Sequence, residues 1–181
     1  MNTISKKGLS IIMHFEQLHD GDLNTIGLQP KMCPAGIWTV GYGRALRNEQ
    51  GKFLRGNNDK AKAYKMYPSI TAAEAELMLL EDTYNYSKQV YTLFLTHKIA
   101  ITDYQFDALV SFVYNCGIGA LYNYREKKEM AVFRAIKYGG NVETAFMLWV
   151  NGGGRRLPGL VRRRKSESHL FETGEVNFFN A

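Results

Sequence analysis

The chain predicts an α+β fold, with a small β-containing lobe near the N-terminus and a larger helical lobe after it. Two observations carry this expectation. β-branched and aromatic residues set between glycines are confined to residues 33–43, whereas capped, helix-periodic segments succeed one another after Pro68. With no repeat, low-complexity tract or linker, the 181 residues read as a single domain. Residues of about 15–68 form its β-containing lobe, and about 69–181, with the N-terminal helix, its helical lobe.

Ser5 to Leu18 predicts a helix with Ser5 as N-cap and Leu9, Ile12, Met13 and Phe15 near one stripe. Glu16 follows Ile12 by one turn and shares its apolar face. An isolated buried charge is costly, so a carboxylate there needs a partner or a purpose, or else it turns to solvent at a fraying helix end. His19 to Pro30, with Asp20-Gly21-Asp22 and Gly27, reads as a loop. Cys33 to Gly43 predicts short strands or a hairpin, Ile37, Thr39 and Gly41 on one side and Trp38, Val40 and Tyr42 on the other. Arg44 to Pro68 reads as irregular, with a turn at Asn57–Asp59 and a third strand over Lys52–Leu54.

Thr71 with Glu74 forms a capping box opening a helix to about Leu95, with Leu77, Leu80, Tyr84, Val90 and Phe94 as buried faces. Thr102 with Gln105 opens a second, strongly apolar helix through Asn115, the expected centre of the core, closed by Gly117 and Gly119. Further helices are expected over Tyr124–Tyr138, Val142–Val150 and Pro158–Phe171, with Pro158 in a first turn.

The composition excludes several classes. No stretch approaches the roughly 20 apolar residues that span a bilayer, so no stable membrane insertion is expected. Lys6 and Lys7 precede an apolar run broken by His14 and Glu16 with no small-residue cleavage site, a poor signal peptide; the chain as synthesised is expected to stay in the cytoplasm. Cys33 and Cys116 read as free thiols, and with four scattered histidines they show no metal-ligand spacing, so neither metal nor cofactor is expected. A net charge of +6 favours an anionic partner: nucleic acid, membrane lipid or an acidic envelope polymer. No nucleic-acid motif supports the first. Arg162, Arg163, Arg164 and Lys165 make the densest basic run, read as a solvated helix face or a surface drawn to an anionic wall.

Four blocks, in order, carry a resemblance. Phe15-Glu16 closing a helix and the Cys33–Gly43 segment are similar to the active-site region of phage-type lysozymes (glycoside hydrolase family 24). Gln105–Phe112 leading to Asn115-Cys116-Gly117-Ile118-Gly119-Ala120 resembles the family's central helix and turn. Leu157–Arg164 to Leu170-Phe171, after Trp149, resembles its C-terminal helix. The resemblance implies a lysozyme-like fold around a cleft and hydrolysis of the β-1,4 bond between N-acetylmuramic acid and N-acetylglucosamine. The protein would be a monomeric endolysin acting on peptidoglycan strands during host lysis, without nucleic acid. The alternative is a lysozyme-fold protein that binds wall glycan without cutting it.

The family pattern of a Glu, an Asp or Cys, and then a Thr falls on Glu16, Cys33 and Thr39. By resemblance Glu16 is the general acid, and Cys33 with Thr39 positions or activates the attacking water, with inversion as the implied outcome. Such chemistry needs a proton donor beside the leaving oxygen and a means of placing water on the opposite sugar face. A Glu held among apolar side chains keeps its proton more readily. A thiol, ordinarily near pKa 8.5, serves as a base at neutral pH only if that value is lowered; neutral, it can still order water. A small apolar residue at a turn is the plainer reading of Cys33. Asn115 falls where the family contacts substrate, or is merely a helix end; Tyr42 and Trp38 line the cleft or pack in the core.

Three departures stand out. Sixteen residues separate Glu16 from Cys33, about twice the family's usual spacing, and they bring Asp20 and Asp22, which are either a replacement carboxylate or turn residues. Gln17 stands where a Gly usually follows the Glu. Arg44 replaces a common His, which puts local stability in question.

Overall fold

Ser5 begins the first helix as its spacing predicts. In a computed structural model describing residues 3–180, α1 spans Lys6–Glu16 and the Lys7 N–H donates to Ser5 Oγ at 3.2 Å. The Ser5 N–H donates to Asp107 Oδ1 at 2.8 Å, and its hydroxyl donates to the other carboxylate oxygen. Gly8 permits this close approach, since a Cβ there would lie 2.9 Å from that of Asp107.

The chain divides into two compact units, Glu16–Asp82 and Met1–Phe15 with Thr83–Ala181. In the first, an antiparallel sheet in the order β1 (Lys31–Met32), β2 (Trp38–Val40), β3 (Arg44–Ala45) pairs Lys31 with Thr39 and Val40 with Arg44. The third strand is thus Arg44–Ala45. The predicted Lys52–Leu54 segment meets the sheet through bridges at Arg47–Phe53 and Ile37–Arg55. All three β2 residues are buried, which hides the expected alternation: Trp38 and Val40 enter a cluster with Leu46, Leu54, Ala63 and Ile70, while Thr39 is covered from the opposite side. The region read as irregular also holds a helix, α2 (Lys60–Met66), whose only buried residue is Ala63, too slight a signal for periodicity to show.

α3 (Ala72–Thr96) opens on the predicted Thr71–Glu74 capping box. Its buried stripe differs from expectation, however. Val90 and Phe94 are buried, but Leu77, Leu80 and Tyr84 are exposed, and Ala75, Leu79, Thr83 and Ser87 take the inward face. Ala75 is small enough to meet the bare backbone of Gly41, where an added Cβ would lie 3.2 Å from its own, a contact that counting large apolar residues misses.

α4 (Asp103–Cys116) has the predicted Thr102–Gln105 capping box and buries Phe106 through Val113 without interruption, as a central helix must. Tyr124 to Met130 is not helical. It lies in a hairpin of β4 (Tyr122–Asn123) and β5 (Lys128–Glu129), turned by backbone N–H groups of Arg125 and Glu126 donating to Asn123 Oδ1, and α5 is shortened to Ala131–Tyr138. α6 covers Val142–Phe146, continued by a 3-10 turn at Met147–Trp149. A glycine-turned hairpin, β6 (Asn151–Gly152) and β7 (Arg155–Arg156), leads to α7 (Pro158–Thr173).

The basic run on α7 corrects a second expectation, for Arg163 and Arg164 are buried rather than solvated. Glu167, wholly buried one turn on, accepts from Arg164 Nη2 at 3.1 Å, Arg163 Nε at 3.2 Å and Ser111 Oγ at 2.8 Å, and Arg164 Nε lies 2.8 Å from its other oxygen. Charges buried this deeply persist only when paired and hydrogen-bonded. Glu167→Ala leaves both guanidinium groups without their shared anion and is expected to cost about 3–5 kcal/mol of stability, read from urea denaturation.

Candidate active site

Glu16 ends α1 half-buried, and the chain turns immediately after it. Gln17 adopts the left-handed region at φ 59°, which explains why the family favours Gly at this position. The turn brings the His19 N–H onto the Gly41 carbonyl at 2.8 Å, laying the helix exit along the glycine-rich end of the sheet. Gly43 takes φ 87°, and a Cβ there would lie 4.0 Å from Glu16 Oε2 and 3.8 Å from His19 Cε1, so the carboxylate and the imidazole edge look onto the same bare stretch of backbone.

Thr39, only 5% exposed, donates its hydroxyl to the Lys31 carbonyl across the β1–β2 pair at 2.9 Å, and His19 Nδ1 lies 2.8 Å from the same oxygen. Glu16, His19 and Thr39 therefore form one connected group inside the Glu16–Asp82 unit. His19 escaped the sequence reading. Its only signal is a titratable side chain three residues beyond a helix-terminal Glu, where a reversing chain returns it toward that Glu.

Cys33 lies at the β1–β2 turn, half-buried and a free thiol; its N–H donates to the Ile37 carbonyl and its own carbonyl accepts from Gly36, both at 2.8 Å. Tyr42 is half-buried against the Trp38–Val40 cluster, and burial, then the charge of Glu76, holds its phenol above the ordinary range. Trp38 takes the core reading, its Nε1 donating to the Gly56 carbonyl at 2.8 Å. Asn115, exposed in the last turn of α4, belongs to the other unit. Its Oδ1 accepts from Arg164 Nη2 at 3.0 Å, fixing the amide orientation with the NH2 group away from that bond.

The inserted acids form turns. Asp20 Oδ1 accepts from the Asp22 N–H at 3.1 Å. Asp22 accepts from the Thr25 hydroxyl at 2.7 Å and the Asn24 N–H at 3.1 Å, which hold its carboxyl below the usual range. The loop is anchored at its base by mutual backbone bonds between Leu28 and Ile70. Arg44, in place of the family's His, pairs with Asp82 at 2.9 Å and Glu81 at 3.0 Å and donates to the Met78 carbonyl. Burial works against its charge, but these hydrogen bonds keep the guanidinium proton above even the ordinary arginine range, so the substitution carries its own compensation. Among the described residues no group of three or more His, Cys, Asp or Glu side chains is gathered to hold a metal, and no helix is long and apolar enough to cross a membrane.

A family model for phage lysozyme matches residues 22–167. The chain belongs to the phage lysozyme family. It is 34% identical to an endolysin of Acyrthosiphon pisum secondary endosymbiont phage 1, over 94% of this chain and 98% of that one. Among solved structures it is similar to the muramidase domain of SpmX from Asticaccaulis excentricus, at 28% identity, TM-score 0.67 and coverage of 96% and 99% of the two chains. It is also similar to an endolysin from Escherichia coli O157:H7 phage FAHEc1, at 27% identity, TM-score 0.69 and 97% of each chain. The helix-dominated lysozyme-like fold with small antiparallel sheets is the fold of these relatives. The family match starts six residues past Glu16, so the place of that residue rests on the geometry above. In this phage lysozyme the left-handed Gln17 is a local cost. Gln17→Gly is expected to raise unfolding stability by about 0.5–1 kcal/mol, measured by denaturant titration.

Proposed function

We propose that this phage lysozyme is a muramidase that hydrolyses the β-1,4 bond between N-acetylmuramic acid and N-acetylglucosamine in bacterial peptidoglycan, with Glu16 as general acid. Membership of the family and likeness to endolysins and a muramidase domain support a lytic, glycoside-hydrolase function. The single observation that carries the site is the Glu16 carboxylate held at the helix end above the bare backbone of Gly43, beside His19, whose Nδ1 meets Thr39.

In the reaction the glycosidic C–O bond breaks as Glu16 gives its proton to the leaving oxygen. A water oxygen bonds to the anomeric carbon, its released proton passes to solvent, and solvent returns one to Glu16. Thr39 contributes as an acceptor. Its hydroxyl proton is engaged by the Lys31 carbonyl, so a lone pair on Oγ1 is what it offers to an O–H of the water. Cys33 helps to order the same water. Asn115 and Tyr42 serve substrate, Asn115 through its amide NH2 toward acetamido and hydroxyl groups. The positive net charge draws the enzyme to the anionic wall. It acts as a monomer on the wall after leaving the cytoplasm in which it is made.

Glu16→Gln keeps shape and removes the transferable proton. It is expected to lower release of reducing ends from purified peptidoglycan by about 10²–10⁴-fold with unchanged circular dichroism. Retained peptidoglycan pull-down by a wild type that releases no ends would instead show a binding protein. Alkylating Cys33 is expected to depress turbidity clearing and Cys33→Asp to preserve or raise it; indifference to both makes Cys33 a turn residue only.

A further inference from the structure

We infer that His19 is a positioning residue of the glycosidase site, fixing the acceptor direction of Thr39 and presenting an uncharged imidazole to Glu16. The inference rests on the muramidase reading above and assigns a residue outside the family's Glu, Asp or Cys, and Thr pattern.

Hydrogen accounting carries the first half. Thr39 Oγ1 has one proton, and the Lys31 carbonyl 2.9 Å away can only accept it. The 2.8 Å contact between His19 Nδ1 and Oγ1 must then run the other way, with Nδ1–H donating. With that direction the neutral ring carries its proton on Nδ1. The same contact leaves Thr39 Oγ1 one lone pair, so the direction in which Thr39 can receive a water is set by His19. The backbone bond from the His19 N–H to Gly41 and the approach of Cε1 to the space above Gly43 hold the ring between Thr39 and Glu16.

Charge carries the second half. Burial lowers the His19 pKa below its ordinary value and Lys31, on β1, lowers it further. The charge of Glu16 and a hydrogen bond with its backbone push upward without prevailing. These are the charged groups acting on the ring; Thr39, Gly41 and Gly43, which surround it from the sheet, bring no charge. His19 is therefore neutral at pH 7 and becomes a cation only as pH falls through its depressed pKa. A cation beside Glu16 stabilises the ionised carboxylate over the proton-bearing form the reaction needs. A fall in activity on the acid side is the signature expected of His19 taking up its proton.

The test follows release of reducing ends from purified peptidoglycan by the full chain across pH 4.5–8.5, for wild type, His19→Ala, His19→Asn and Lys31→Met. His19→Ala is expected to lower kcat about tenfold or more at pH 7 with little change in KM. His19→Asn, whose amide N–H replaces the Nδ1 donor, is expected to recover most of that loss and to lack the wild-type fall on the acid side. Lys31→Met, at an exposed side chain, is expected to shift that fall to higher pH. Wild-type kcat in His19→Ala, or an acid-side fall unchanged in His19→Asn and unmoved in Lys31→Met, overturns the inference. If His19→Ala fails to fold by circular dichroism, the Asn and Met pH profiles decide alone. Glu16→Gln run alongside separates the two readings. Full activity in that variant defeats the muramidase assignment of Glu16, whereas its loss together with unaltered His19 profiles defeats only the role of His19.

Discussion

The Asp107 carboxylate beneath the first turn of α1 is the interaction on which the position of the candidate acid depends. It sits on the central helix, where burial raises its pKa, and it remains there because the Ser5 N–H, the Ser5 hydroxyl and the Gly8 backbone supply the bonds water would have given. This anchor fixes the start of α1, and eleven helical residues at about 1.5 Å each carry the chain to Glu16. Ile11 and Ile12, fully buried, prevent the helix from turning about its axis.

The second half of α4 meets a similar demand with opposite charge. Arg164 reaches Glu167, Asn115 and Cys116 Sγ at once and lies over the Phe112 ring, so one buried guanidinium ties α7 to the end of the central helix. Burial raises the Cys116 thiol pKa and the neighbouring Arg164 draws it back only in part, leaving a hydrogen-bonding thiol in a structural place. The two cysteines consequently sit in different chemistry: Cys116 under an arginine, Cys33 at a hairpin turn beside the strand pair that holds Thr39.

Departures from the family pattern resolve into local physics. Arg44 loses what the His would supply and gains two carboxylates and a carbonyl from α3. Gln17 accepts a left-handed backbone that Gly would take freely. Asp20 Oδ1 and both oxygens of Asp22 accept hydrogen bonds within the turns of their own loop.

Local signals determined much of the protein. Ser5, the Thr71 and Thr102 capping boxes, the unbroken apolar run of α4, and Pro158 opening α7 each satisfy backbone or bury surface in a way that neighbouring residues alone specify. Glu16, Cys33 and Thr39 were singled out differently, by the resemblance of their order and spacing to the phage-type lysozyme pattern. Only tertiary structure decided that Ala75, Leu79, Thr83 and Ser87, rather than Leu77 and Leu80, face inward on α3, because closeness of approach depends on what lies opposite. It also decided that Arg163 and Arg164 are buried, since Glu167, which pairs with both from the same helix, is itself bonded by Ser111 of α4, and Arg164 reaches Asn115 and Cys116 there as well. And it placed His19 between Glu16 and Thr39, a meeting set by a reversed helix exit pairing with a strand some twenty residues on, which no local pattern in the chain encodes.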